Sequence, residues 1–239
     1  MKIDAYPYSF PLRTQLRAES TALLCIDFQI DFCGPGGYMD RMGVDISLMR
    51  AALGPTAKVL AHARRLGFTV AHTRETFKAD LSDVQPHRFY RGRSGGDIVP
   101  GDQGPLGRCL VKGEPCWEIV PEVAPLPGEA IFDKRAYGAF GCTNIEAHLK
   151  SLGIEHLIFT GLTSNCCIQS NLREALDRGF ECMVLEDCCG ASTRASHEHA
   201  MALIRNPGAV FGVLSDSANF LAARPPAESR QVEDSERKG

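Results

Sequence analysis

The stretch His156-Leu157-Ile158-Phe159-Thr160-Gly161-Leu162-Thr163-Ser164-Asn165-Cys166-Cys167-Ile168 decides the reading of this chain. The apolar run His156–Thr160 predicts a buried strand. After the turn, Ile168, Leu172, Ala175 and Leu176 recur at i, i+4, i+7 and i+8, and Gly179 follows. That spacing predicts an amphipathic helix with a glycine stop. A cysteine where a strand turns into a helix feels the macrodipole and the free backbone N–H groups. Both favour a thiolate, and the same N–H groups can hold an oxyanion. This context separates Cys166 and Cys167 from the other cysteines. Helical periodicity does not choose between the two.

Outward from this segment the pattern repeats. Ala22–Ile26, Thr69–His72, Ala130–Phe132, Cys182–Leu185 and Val210–Val213 are further short apolar runs that predict strands. Helical stretches alternate with them. Pro55–Leu66 places Val59, Ala63 and Leu66 on one face, and Thr143-Asn144-Ile145-Glu146 spells a capping box before Leu149 and Leu152. A last one carries Ala200, Leu203 and Ile204 ahead of Asn206-Pro207-Gly208. Alternation of this kind predicts an α/β fold: a three-layer α/β/α, Rossmann-like arrangement on a six-stranded, mainly parallel sheet. Ligands in such folds sit at the carboxyl edge of the sheet.

Residues 74–128 interrupt the alternation with 15 Gly or Pro in 55 residues, and are expected to form a long irregular crossover with lid or oligomer contacts. One domain is expected over 1–223. The tail 224–239, with four positive and four negative charges, is expected to be disordered.

The 239 residues carry a net charge of −3 and are 44% hydrophobic. This balance gives no reason to expect nucleic acid or a membrane as partner. No run approaches the length of a membrane span, and Met1–Ser20 has no apolar core of a secretory signal, so a cytoplasmic location is expected. Ten cysteines without that signal, and without a C-x-x-C pair, argue against a disulfide framework and against a zinc ribbon. Most are expected to be small buried hydrophobes.

Two more strand ends offer chemistry. Leu24-Cys25-Ile26-Asp27 puts a carboxylate directly after an apolar strand, where partial desolvation suits a general base. Ile131-Phe132-Asp133-Lys134 puts a cation at the same edge, able to stabilise a thiolate or a developing anion. Asp27, Lys134 and one of the two cysteines make an acid/base, a cation and a nucleophile.

These residues resemble the isochorismatase-like cysteine hydrolases. The resemblance runs from about Asp27 to Phe220. It rests on Ile26-Asp27-Phe28-Gln29 with Asp31-Phe32, on Phe132-Asp133-Lys134, and above all on Gly161–Ile168 with Arg173-Glu174-Ala175. The family pattern G-x-x-T-x-x-C-V resembles 161–168, with Ser164 at the Thr position and Ile168 at the Val, and implies Cys167 as nucleophile, with Cys166 as packing. It further implies a cis peptide at Leu162–Thr163 and an oxyanion hole from Thr163 and Cys167. Within the superfamily the chain most resembles biuret amidohydrolases, through Asp31–Tyr38, Met42–Asp45, His72–Glu75, Gly113–Trp117 and Glu186–Ala191. One departure is that Pro207 stands where a substrate-binding Gln is expected, and proline has no side-chain amide. Phe32 and Asn206 are the substrate-binding candidates.

The implied activity is hydrolysis of a C–N bond in a small ureide such as biuret, through a thioester that releases ammonia. Alternatives are another ureide or carbamoyl compound (guanylurea, triuret, ureidoacrylate), an isochorismatase-type vinyl-ether hydrolysis, or a thiol redox or binding protein. No cofactor is expected. No metal is expected either, because the stretch after Asp45 lacks histidine. His197 and His199, two apart on a helix, are read as surface. The family implies a homo-oligomer, a tetramer, in nitrogen metabolism.

Overall fold

The computed structural model describes residues 1–95 and 97–224. Six strands form one sheet: β1 (Thr21–Ile26), β2 (Thr69–Glu75), β3 (Ala130–Lys134), β4 (His156–Leu162), β5 (Glu181–Gly190) and β6 (Val213–Ser215). Their spatial order is β3-β2-β1-β4-β5-β6, and every neighbouring pair is parallel. The order reverses at β1, so the β1/β4 boundary is the switch point where such sheets bind ligands.

The helices are α1 (Leu53–Arg65), α2 (Pro86–Gly95), α3 (Ile145–Ser151), α4 (Gln169–Asp177), α5 (Arg194–Ile204) and α6 (Ser217–Ala222), with single turns between. Strand β1 is buried at every position, as a central parallel strand must be. Its alternate side chains feed two apolar clusters. Leu23 and Cys25 pack with Val59, Leu60 and Phe220 on one face. Ala22, Leu24 and Ile26 pack with Leu149, Leu172 and Met201 on the other. The three-layer expectation holds.

Several boundaries differ from the expectation. Strand β2 runs on to Glu75 and β3 to Lys134, past the apolar runs that predicted them. The last strand is Val213–Ser215 rather than Val210–Val213. Val210 is 63% exposed, and Ala209 turns the chain through a positive φ of 48° just before it. The Thr143 capping box is not made. Thr143 Oγ1 accepts from the Ile145 N–H at 3.2 Å, while Glu146 is drawn to Lys150 and Arg178 at 2.6 and 2.9 Å. The tail expectation falls on 225–239, outside the described residues.

The long crossover folds back over the carboxyl edge of the sheet. It contains α2 and a small hairpin, Gln103–Gly104 with Gly107–Arg108. Asp31 pins it. Its Oδ2 accepts from the Leu110 N–H at 2.6 Å, and its Oδ1 accepts from the Tyr38 N–H at 3.0 Å. Burial pushes this carboxyl from an ordinary 3.8 up to about 6, against the two backbone hydrogen bonds.

The switch point needs a glycine. Gly161 has φ of 137°, and a Cβ there would lie 2.2 Å from the Ile26 carbonyl oxygen on β1. Gly161→Ala should lower the unfolding free energy by more than ~2 kcal/mol. Gly54→Ala, at a helical position with open space around it, should raise it by ~0.5 kcal/mol. Calorimetry on the two variants checks the opposite signs.

The Asp31 shift predicts a pH effect. The folded carboxyl holds its proton more tightly than the unfolded one. Its contribution to stability is therefore fully present below pH ~4 and is lost as pH rises through about 6. Denaturant unfolding at pH 4 and pH 7 measures this. Wild type minus Asp31→Asn should shrink by ~2–3 kcal/mol over that span; a pH-independent difference contradicts the shift.

Candidate active site

Three adjacent strand ends and one turn build the site. In the β2–β3 register Glu75 stands opposite Lys134. Asp27 follows β1 directly, and the β1–β4 register sets Ile26 opposite Gly161. Parallel pairing thus puts an acid, a base and the turn after β4 within a few ångströms.

Lys134 is the centre. Its side chain has no exposed surface, and its Nζ lies 2.7 Å from Asp27 Oδ2, equally buried. It also donates to the Ala136 carbonyl oxygen at 3.0 Å and points at Cys167 Sγ at 3.6 Å. Three partners match the three donors of an ammonium. Burial opposes its charge, but Asp27, Cys167 and Glu75 together outweigh it, so its pKa lies above the ordinary lysine value. The second Asp27 oxygen, Oδ1, accepts from Thr73 Oγ1 at 2.6 Å, and Asp27 takes a left-handed φ of 52° to reach both partners. Aspartate tolerates that region better than most residues.

Cys167 sits in a single π turn, Ser164–Ile168, that precedes α4. The Ile168 N–H reaches back to the Thr163 carbonyl oxygen at 3.2 Å. Such turns insert a residue into the helical phase and are frequent at functional sites. The Leu162–Thr163 peptide is cis, as the resemblance implied. Asn171, one turn into α4, donates to the Cys167 carbonyl oxygen at 2.8 Å and accepts from the Ala139 N–H at 2.8 Å. It locks the turn to the loop after β3.

The thiol differs from expectation. Cys167 is 3% exposed, and its pKa is pushed well above the ordinary value, not below it. Hydrogen bonding with Cys166 and burial raise it, joined by the Asp27 and Glu75 carboxylates, while Lys134 pulls the other way. Cys166 moves in the opposite sense, lowered by that same hydrogen bond. The proton therefore rests on Cys167 until a base takes it.

A cavity of about 350 Å³ opens over this centre. The turn contributes Thr163, Asn165, Cys166 and Cys167, the crossover Arg88, Ile98, Val99 and Leu110, and the first turns Phe32 and Tyr38. Phe32 is thus where the sequence put it. Asn206 is not. It is exposed, its Oδ1 accepts from the Gly208 N–H at 2.9 Å, and it is absent from the cavity wall. The neighbouring Pro207 lies in the same exposed turn, also away from the cavity. His199 is exposed as read, but His197 is half-buried, and its Nδ1 lies 2.8 Å from Ser164 Oγ.

Glu75 adds a second carboxylate at this edge that the apolar pattern of β2 does not mark. Its side chain is 2% exposed, its Oε2 lies 3.9 Å from Lys134 Nζ and 4.0 Å from Cys167 Sγ, and its Oε1 pairs with Arg88. A strand drawn to its true end would have shown it, as a carboxylate at the same edge as Asp27. Asp27, Glu75 and Cys167 offer donor atoms within 4.8 Å of one another, the spacing of a metal set. Lys134 Nζ stands among them, so an ammonium fills the place a cation would take.

Residues 21–218 match the model of the isochorismatase domain family. The ureidoacrylate amidohydrolase RutB of Pantoea ananatis is 30% identical over 215 residues, covering 86% of this chain and 82% of that protein. RutB of Azorhizobium caulinodans is 30% identical over 224 residues, covering 91% and 97%. Among solved structures, an isochorismatase family protein from Desulfovibrio vulgaris superposes with a TM-score of 0.70 at 27% identity, covering 85% of this chain and 96% of that one. N-carbamoylsarcosine amidase from Thermoplasma acidophilum shares the fold, with a TM-score of 0.64 at 23% identity over 83% and 96% of the two chains. With four-fifths of its length matched and the strand order, the switch-point turn and the buried lysine in place, the chain belongs to the isochorismatase family of hydrolases.

Proposed function

We propose that this protein is a cysteine amidohydrolase that cleaves a C–N bond of a small ureide and releases ammonia. The observation that carries the reading is Lys134, fully buried between the Asp27 carboxylate and the Cys167 sulfur at 2.7 and 3.6 Å. An ammonium there neutralises charge on either neighbour, so a proton can pass from sulfur to carboxylate without leaving a bare buried charge.

The steps follow. Asp27 takes the Cys167 proton as sulfur attacks the carbonyl carbon. The backbone N–H groups of Thr163 and Cys167, at the cavity wall, receive the oxyanion. Asp27 returns the proton to the departing nitrogen, and ammonia leaves. A thioester, or its carbamoyl equivalent, remains on Cys167. Water then attacks it with Asp27 again as base, and the thiol is restored. With the thiol pKa raised, the attacking step requires a base to take the Cys167 proton.

Biuret and ureidoacrylate are the two leading substrates. The first comes from the sequence resemblance, and the second is named by the RutB relatives. A vinyl-ether hydrolysis would leave the buried Cys167 unused. We further propose that residues 1–223 act as one catalytic domain, working as a homo-oligomer in the cytoplasm. Among the described residues no helix is long and apolar enough to cross a membrane.

An ammonia-release assay over small ureides and amides tests the reading. At least one ureide should be turned over. Cys167→Ser should abolish release, and Asp27→Asn should reduce kcat by ~10²–10⁴. Full release by Cys167→Ser would refute the cysteine mechanism.

A further inference from the structure

We propose that Glu75 and Arg88 form one recognition element for the –CO–NH–CO– edge of an uncharged acylurea or carbamoylurea. The proposal rests on the amidohydrolase reading above and narrows it to a substrate class.

Glu75 is held from both ends. Gln29 Oε1 accepts from the Glu75 N–H at 2.7 Å, and Gln29 Nε2 donates to the Glu75 carbonyl oxygen at 3.1 Å and to that of Trp117 at 2.9 Å. Arg88 Nη2 holds Oε1. Oε2 is left facing the reacting centre, 4.0 Å from Cys167 Sγ. Attack requires the carbonyl carbon about 3–3.5 Å from sulfur. Its nitrogen substituents lie about 1.33 Å further, within hydrogen-bond reach of that carboxylate oxygen. The leaving nitrogen faces Asp27, so the group facing Glu75 is the second substituent. A ureide puts an N–H there, whereas a carboxamide puts a CH₂ against a buried carboxylate.

Arg88 supplies the other half. Its guanidinium lies over the Tyr137 ring at 4.5 Å and the Phe77 ring at 5.1 Å, and its side chain is 10% exposed. Its Nη1 has no hydrogen-bond partner among the described residues. A buried N–H without an acceptor is costly, and Arg88 lines the cavity, so the acceptor comes with the substrate. An acceptor on Glu75 beside a donor on Arg88 complements an N–H followed by a C=O.

Charge decides between acceptors. Lys134 and Arg88 balance Asp27 and Glu75, and each is buried. A substrate carboxylate would add an unneutralised buried charge; a carbonyl oxygen adds none.

The test compares kcat/KM for biuret with three probes. Malonamide replaces the central N–H by CH₂, propylurea lacks the second carbonyl, and N-carbamoylglycine carries a carboxylate. Wild type should favour biuret over each by at least ~100-fold. Glu75→Gln should cut the biuret/malonamide ratio at least tenfold, and Arg88→Met the biuret/propylurea ratio. Arg88→Lys, which keeps the charge but not the fork, should behave as Arg88→Met and serves if that variant fails to fold; Glu75→Asp, which draws the carboxylate back, should lower the biuret/malonamide ratio and serves if Glu75→Gln fails to fold. Preference for N-carbamoylglycine, or equal losses on all probes, would overturn the proposal. Turnover of another ureide such as ureidoacrylate with none of biuret would also overturn the proposal, whereas absence of Cys167-dependent ammonia from every ureide, ureidoacrylate included, would instead overturn the amidohydrolase reading.

Discussion

A lysine ammonium with no exposed surface is the constraint on which the rest of the site depends. Lys134 lies 2.7 Å from Asp27, 3.6 Å from Cys167 and 3.9 Å from Glu75. An isolated charge at that depth would be prohibitive, so the fold must deliver its counter-charges. Strand register does so. β3, β2 and β1 end side by side, and the switch-point turn after β4 brings the sulfur. Asp27 and Glu75 are balanced by Lys134 and Arg88, so none of the four can be removed singly without stranding a buried charge.

The crossover that interrupts the α/β alternation supplies one wall of the cavity over this edge. It is fastened by buried polar contacts and not by packing alone. Asp31 takes the Leu110 N–H at 2.6 Å, and Trp117 Nε1 donates to Thr76 Oγ1 at 2.8 Å. Gln29 bridges Glu75 and Trp117. The same segment lowers Arg88 onto Glu75. The charges around Cys167 are thereby buried, and the lower local dielectric strengthens their interactions.

The sheet, its parallel sense and the edge that carries the chemistry were legible because buried strands and amphipathic helices leave different periods. Asp27, Lys134 and the cysteine pair were legible because each follows such a strand. Other features depended on tertiary contacts. Glu75 escaped because the apolar run stops at His72, although the strand continues through mostly buried Arg74 to buried Glu75. Arg88 lies on a polar helix and is buried only when the crossover folds back. The π turn shifts the helical phase, which is why periodicity left Cys166 and Cys167 unresolved. The thiol shift runs opposite to the expectation because hydrogen bonding with Cys166, burial and the neighbouring carboxylates, all invisible in sequence, raise it. Glu146 left its capping box for Lys150, one turn along the same helix, and for Arg178, which is distant in the chain.

In the proposed mechanism the acyl or carbamoyl part of the substrate passes through a covalent bond to one of ten cysteines. Acid-quenched turnover followed by peptide mass spectrometry tests it most directly. The account predicts a substrate-derived acyl adduct on the peptide bearing Cys167, assigned to that sulfur and lost on return to neutral water. Turnover with the adduct on Cys166, on another cysteine, or on none would contradict it.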